Sequence, residues 1–210
     1  MFQSCTRTFR LTASLLCLLW AGCTTIMLET GKKAFEDRTT EDQITDTKIT
    51  TGILSRFSEK DKGLLLDVSA DAWEQQVLLT GTLDSTITRD EILQLVQLDP
   101  RITAIYDEIQ IVSPEEKERR RKQAEKQKAD NTEGMGQTVD DFWIAAKIED
   151  QLVATKGITS VNYRWRSVRN HVYLLGRARS QTELDKVLHI CQKTKGVTSV
   201  KHFVKIKPLS

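Results

Sequence analysis

Apolar residues recur every four positions at Ile49, Ile53 and Phe57, and again at Ile144, Ile148 and Leu152. That spacing places each trio on one face of a helix. Two alternating stretches follow each trio, over 64–71 and 75–83 and over 159–166 and 171–178, with a few polar residues between the members of each pair. Such pairs predict two hairpins. Gly81 and Gly176 stand near the end of the second stretch, where a glycine marks a bend or a close backbone approach. A second helical pattern then presents Ile92, Leu95 and Val96, or Val187, Ile190 and Cys191. A last strand carries Ile105, Asp107, Ile109 and Ile111 on one side, or Val200, His202, Val204 and Ile206.

The two passages are one pattern repeated at a constant offset of 95 residues, the separation of Gly81 and Gly176. The same offset carries Asp46 onto Asp141, Ser85 onto Ser180, Asp90 onto Asp185 and Leu93 onto Leu188. The expected fold is α+β: two tandem α-β-β-α-β modules, each a small three-stranded mixed sheet with two helices on one face. The other face is left to water or a partner. The predicted modules span 44–112 and 139–208, with a charged linker over 113–138. In the linker Pro114 can open a helix, and its acidic residues precede its basic ones, as the helix dipole favours. The segment has no apolar stripe, however, and 131–136 are turn-like, so it reads as a charged helix or tether fading into a joint. Its seven Lys/Arg are offset by six Asp/Glu, which argues against a basic nucleic-acid patch.

The first 22 residues read as an export signal. Arg7 and Arg10 precede an apolar run over 11–20, which is shorter than the roughly 20 residues a membrane-spanning helix needs. Ala21 and Gly22 then lead to Cys23, an arrangement that resembles a lipobox, with Trp20 where leucine is commonest. Cys23 is therefore the expected lipidation site, 23–43 the tether, and simple secretion the alternative. Thr24 after the cysteine, in place of Asp, points to the outer membrane, with the protein facing the periplasm. Cys5 and Cys17 would leave with the signal. Cys191 alone would then remain beside Cys23, which leaves no disulfide between cysteines of the mature modules and no Cys-based metal cluster. Cys191 itself reads as a small core residue.

The element order, the Val-x-Leu-x-Gly strand ending (Val77, Leu79, Gly81; Val172, Leu174, Gly176) and the Gly196, Val197, Val200 entry to the last strand resemble the BON domain. The first copy departs at that entry with Arg101 and Ile102. Residues 37–40, with Gln43 and Asp46, resemble the segment leading into the first module of dual-BON lipoproteins. The resemblance covers about 37–112 and 137–207 of the sequence. It implies a non-enzymatic envelope protein that binds anionic phospholipid and helps keep the outer membrane intact. The alternatives are a structural or adaptor lipoprotein binding an envelope protein, or a non-lipidated stress-induced periplasmic protein.

Charge separates the copies. Residues 39–112 hold 6 Lys/Arg against 14 Asp/Glu, and 139–210 hold 13 against 6. A shared fold does not need that contrast, so it points to different partners for the two modules. The second opening helix adds Phe142 and Trp143 where the first has Thr47 and Lys48. Beside Lys147, this aromatic pair suits a lipid interface, or else the linker or the other module. Strand alternation sends Arg164, Arg166, Tyr173 and Phe203 to the face away from the helices. That face either binds lipid or docks on the acidic first module; export argues against nucleic acid.

No enzyme motif is present, and no cofactor or metal is implied. His171, His189 and His202 lack metal-ligand spacing. Asp84, Asp90 and Asp99 read as a solvated face, and Asp46 and Asp141 as charges or caps at helix N-termini.

Overall fold

The structure is a computed structural model and describes residues 36–130, with backbone alone over 124–130, and 141–208. The expected signal 1–22, Cys23, tether residues 24–35 and linker residues 131–138 lie outside the described residues. From Asp37 onward the protein forms one compact unit.

Its first half runs α1 (Thr40–Lys60), α2 (Leu64–Asp67), β1 (Val68–Trp73), β2 (Gln76–Leu83), α3 (Thr86–Gln97) and β3 (Ala104–Ile111). After α4 (Pro114–Asp130), the second half runs α5 (Asp141–Ala154), β4 (Tyr163–Val168), β5 (His171–Ala178), α6 (Gln181–Lys193) and β6 (Ser199–Ile206). Each half folds into a three-stranded mixed sheet: β2 is central, antiparallel to β1 and parallel to β3, and β5 sits likewise between β4 and β6. Strand pairing repeats the offset of 95, with Val68 opposite Gly81 and Tyr163 opposite Gly176.

Local chemistry explains the repeat. Ser85 and Ser180 cap α3 and α6, their hydroxyls accepting the N–H of Thr88 and Glu183. Each hairpin turns on two residues of positive φ, Glu74 and Gln75 or Arg169 and Asn170, the conformation that matches strand twist in a two-residue loop. Gly81 and Gly176 also have positive φ, and a Cβ there would lie 2.0 Å from the Asp67 carbonyl oxygen or 2.2 Å from that of Asn162. Only glycine fits.

The strands expected from 64 and 159 begin later, at Val68 and Tyr163. Leu64, Leu65 and Leu66 do not alternate, and a short helical turn, closed by the N–H groups of Leu66 and Asp67 on the Gly63 carbonyl, carries Leu64 into the core. A single 3-10 turn, Ser160–Asn162, takes its place in the second half.

Helices cover one face of each sheet. Ile49, Ile53 and Phe57 of α1 and Ile92 and Val96 of α3 pack on Val77 and Leu79, while Ile144, Ile148 and Leu152 of α5 and Val187 and Cys191 of α6 pack on Val172 and Leu174. The opposite faces meet each other. Trp73 and Leu78 from the first sheet join Val168, Tyr173 and Leu175 from the second in a third buried cluster, flanked by Tyr106 and Phe203, whose rings stack at 4.0 Å. The order of layers is helix, sheet, sheet, helix. Burying each of these large side chains contributes about 1.5–3 kcal/mol.

The segment before α1 crosses to the second half. Asp37 accepts two bonds from Arg179 (2.6 and 2.8 Å) and exchanges two with Asn162. Arg177 donates to the Asp37 carbonyl and also to the carbonyls of Lys207 and Pro208.

Candidate functional site

The start of α5 is positioned by a carboxylate. Asp141 accepts the backbone N–H groups of Arg169 (2.9 Å) and Asn170 (2.8 Å), the Ser167 hydroxyl (2.8 Å) and the Arg120 guanidinium (2.7 Å). Burial disfavours its charge, but the Asn170 N–H, Arg120, Ser167 and the Arg169 N–H together outweigh that and hold its pKa below the usual carboxylate range. Asp46 does the same work in the first half, accepting the N–H groups of Glu74 (2.8 Å) and Gln75 (2.7 Å) and pairing with Arg38. The expectation of a helix-terminal charge holds for Asp141, which stands in the first turn of α5, and is corrected for Asp46. Asp46 lies well inside α1, and both carboxylates satisfy the exposed donors of a hairpin turn and tie it to the helix.

From this anchor the next two residues project outward. Phe142 is 50% exposed and meets Trp143 edge to face at 6.0 Å; Trp143 is half-buried and Lys147 exposed. One side of Phe142 lines a cleft of about 210 Å³, with Leu66 and Gly81 of the first half and Arg120 and Arg121 of α4. Phe142 therefore touches both the junction of the halves and solvent.

Arg164 and Arg166 lie elsewhere, on the face where the sheets meet. Arg166 makes a two-pronged pair with Asp71 (2.6 and 2.7 Å), which raises its pKa. The Arg164 guanidinium sits 5.1 Å from the Trp73 ring centroid, and that of Arg38 sits 4.3 Å from it. Further pairs cross the same boundary: Lys201 with Glu108 (2.5 Å), Lys207 with Glu74, and Arg177 with Glu74 (3.9 Å). Gln110 donates to the Tyr173 hydroxyl (3.0 Å) and the Val168 carbonyl. The face expected to be open is closed, and the docking alternative is the one these contacts realise. Trp73 and Arg179, which the sequence did not single out, hold this boundary with Asp37 and Arg38 of the segment that resembles the lead-in to the first module. Trp73 had one signal, a tryptophan where the other copy has Val168.

The linker helix is used as well. Lys117 pairs with Asp84 (2.7 Å), Arg121 with Asp67 (2.6 Å), Arg120 with Asp141, and Glu116 with Arg169 (3.1 Å). Charges that lack an apolar stripe thus clip α4 to both halves.

The remaining candidate chemistry is structural. Asp99, expected on a solvated face, is buried; the Arg101 guanidinium lowers its pKa, with Arg56 nearby. Asp90 is exposed. Cys191 is buried, and burial pushes its thiol up to about 12. Among the described residues no three His, Cys, Asp or Glu side chains are placed to hold a metal ion, and no helix is long and apolar enough to cross a membrane.

Residues 140–208 match the BON domain. Over 145 residues the protein is 30% identical to "Uncharacterized protein in gshII 5'region" of Anaplasma centrale, a match spanning 69% of this chain and 85% of that one. The chain belongs to the same family as that protein, and its second half is a BON domain. The BON domain thus comprises α5, β4, β5, α6 and β6, with the aromatic pair at its first helix. Two structures of Chlamydia trachomatis CdsD, a structural protein of the type III secretion system, also align. One shares 13% identity with a TM-score of 0.32, covering 74% of this chain and 94% of that one. The other, its C-terminal domain, shares 14% with a TM-score of 0.31, covering 75% and 96%. Likeness this distant carries no functional argument.

Proposed function

We propose that this is a non-enzymatic envelope lipoprotein built from two tandem BON-like modules, whose second module binds anionic phospholipid and helps maintain the outer membrane. Cys23 carries the lipid anchor, the chain faces the periplasm, and residues 44–112 and 139–208 are the modules joined by the linker. The observation that carries this reading is the half-exposed Phe142 with Trp143 and exposed Lys147 at the first helix of a BON domain. Because the sheet face of that domain is occupied by the first half, a helix end is what it offers a membrane. Aromatic rings beside lysine suit the headgroup boundary, and each lysine near an anionic leaflet adds about 1 kcal/mol of attraction.

The adaptor alternative drew on the charge contrast. Three of the fourteen acids behind that contrast, Asp71, Glu74 and Glu108, are paired inside the molecule, against Arg166, Lys207 and Lys201.

Co-sedimentation of the unit Asp37–Ser210 with phosphatidylglycerol vesicles tests the reading. Binding should be lost on Phe142→Ser with Trp143→Ser and kept on Thr47→Ser with Lys48→Ser; undiminished binding by the first variant would sink the assignment. Fatty-acid labelling that persists in Cys23→Ala would remove the anchor.

A further inference from the structure

The basic side chains of the second half divide by position, and the docked side holds lysines as well as arginines: Lys201 pairs with Glu108 and Lys207 with Glu74. Arg166, Arg169, Arg177 and Arg179 face the carboxylates of Asp71, Glu116, Glu74 and Asp37. Lys147, Lys156, Lys186, Lys193 and Lys195 are exposed and pair with no acidic residue among those described. Their positions converge. Lys186 and Lys193 lie seven residues apart, on one stripe of α6. That stripe faces α5, because the Lys186 amine lies 3.2 Å from where a Cβ on Gly157, in the turn after α5, would stand. On α5, Lys147 precedes Gln151 by one turn, and Gln151 donates to the Thr194 hydroxyl just beyond α6 (3.1 Å). Lys156 follows the end of α5 and Lys195 the end of α6. Five amines thus border the seam between the two helices, with Trp143 one turn before Lys147. Against them the two helices expose the acids Asp150 and Asp185.

We propose that the α5–α6 seam is a contact surface for an anionic phospholipid bilayer, on which the module lies with both helices along the membrane plane. The proposal rests on the membrane reading above and extends it from one helix end to a helical face. Lysines on flexible stems act as mobile point charges and fit a fluid array of lipid phosphates. A shaped anion would call for the forked geometry of arginine, and the arginines are turned to the other side of the sheet. The layer order fixes the orientation: with the seam on the bilayer, α1 and α3 of the first half point away from it.

Lysine acylation of the full chain on vesicles, read by mass spectrometry, tests this. On vesicles containing phosphatidylglycerol, Lys186 and Lys193 should react several-fold more slowly than on phosphatidylcholine alone, while Lys48 and Lys62 of the first half react equally on both. Lys186→Gln with Lys193→Gln should restore the reactivity of Lys195 toward its phosphatidylcholine rate. Protection of Lys147 alone, with Lys186 and Lys193 unchanged, overturns the seam and leaves the Phe142–Trp143 contact standing. No lipid-dependent change at any of the five overturns both.

Discussion

The first and second halves have the same strand register, residue for residue, and opposite charge. Gly81 and Gly176, Asp46 and Asp141, and Ser85 and Ser180 do identical jobs in the two, so those residue types belong to the backbone plan. The charges belong to something else. Three acids of the first sheet, Asp71, Glu74 and Glu108, face bases of the second, so part of the contrast that suggests two outside partners describes two inside ones. Within the second half a finer comparison holds: four arginines, with Lys201 and Lys207, are paired with acids, while the amines that border the α5–α6 seam are all lysines.

Three measurements press on this comparison. The largest effect should come from the shared backbone plan. Gly81→Ala or Gly176→Ala drives a Cβ into a carbonyl at a positive-φ site and should cost about 3 kcal/mol or more in either half, measured by urea unfolding. A loss in one half only would mean that the two are not equivalent. Next, Asp71→Arg should weaken the packing of the halves by roughly 1 kcal/mol, since Arg166 is half open to solvent, and Asp71→Arg with Arg166→Asp should recover much of it. No recovery would deny that the charges are matched across the sheets. The smallest effect is pH-dependent. Arg179 first, then Asn162 and Arg177, hold the Asp37 carboxyl below its usual range despite burial. A depressed folded pKa gives stability that is full above the unfolded value near 4 and fades as pH falls through the folded one. Asp37→Asn should therefore shrink the acid-induced fall in unfolding free energy below about pH 4, by less than about 1 kcal/mol after solvent screening, and leave pH 5 to 7 flat, read by urea unfolding at each pH.

Much of the fold was legible from periodicity. Ile49, Ile53 and Phe57, the hairpin pairs and both key glycines sit where spacing placed them, because side-chain burial within one element follows its own repeat. Alternation also placed Arg166, Tyr173 and Phe203 on the face away from the helices. Which object would cover that face was not legible, since alternation reports polarity and not the neighbour. The bonds from Asp46 and Asp141 to the hairpin turns were hidden for a related reason: those partners lie 28 and 29 residues along the chain, beyond any local window. The short helix at Leu64 was hidden by a leucine run that has no period at all.

Arg177 has a consequence for how the molecule can be handled. One guanidinium holds the carbonyls of Asp37, Lys207 and Pro208, so the chain at residue 37 and the chain at residue 208 meet at a single point, like a loop gathered by one stitch. A reporter fused beyond Pro208 therefore samples the surroundings of residue 37. The whole body is also suited to insertion into the exposed loop of a host protein, with both cut ends of the host brought to the same spot.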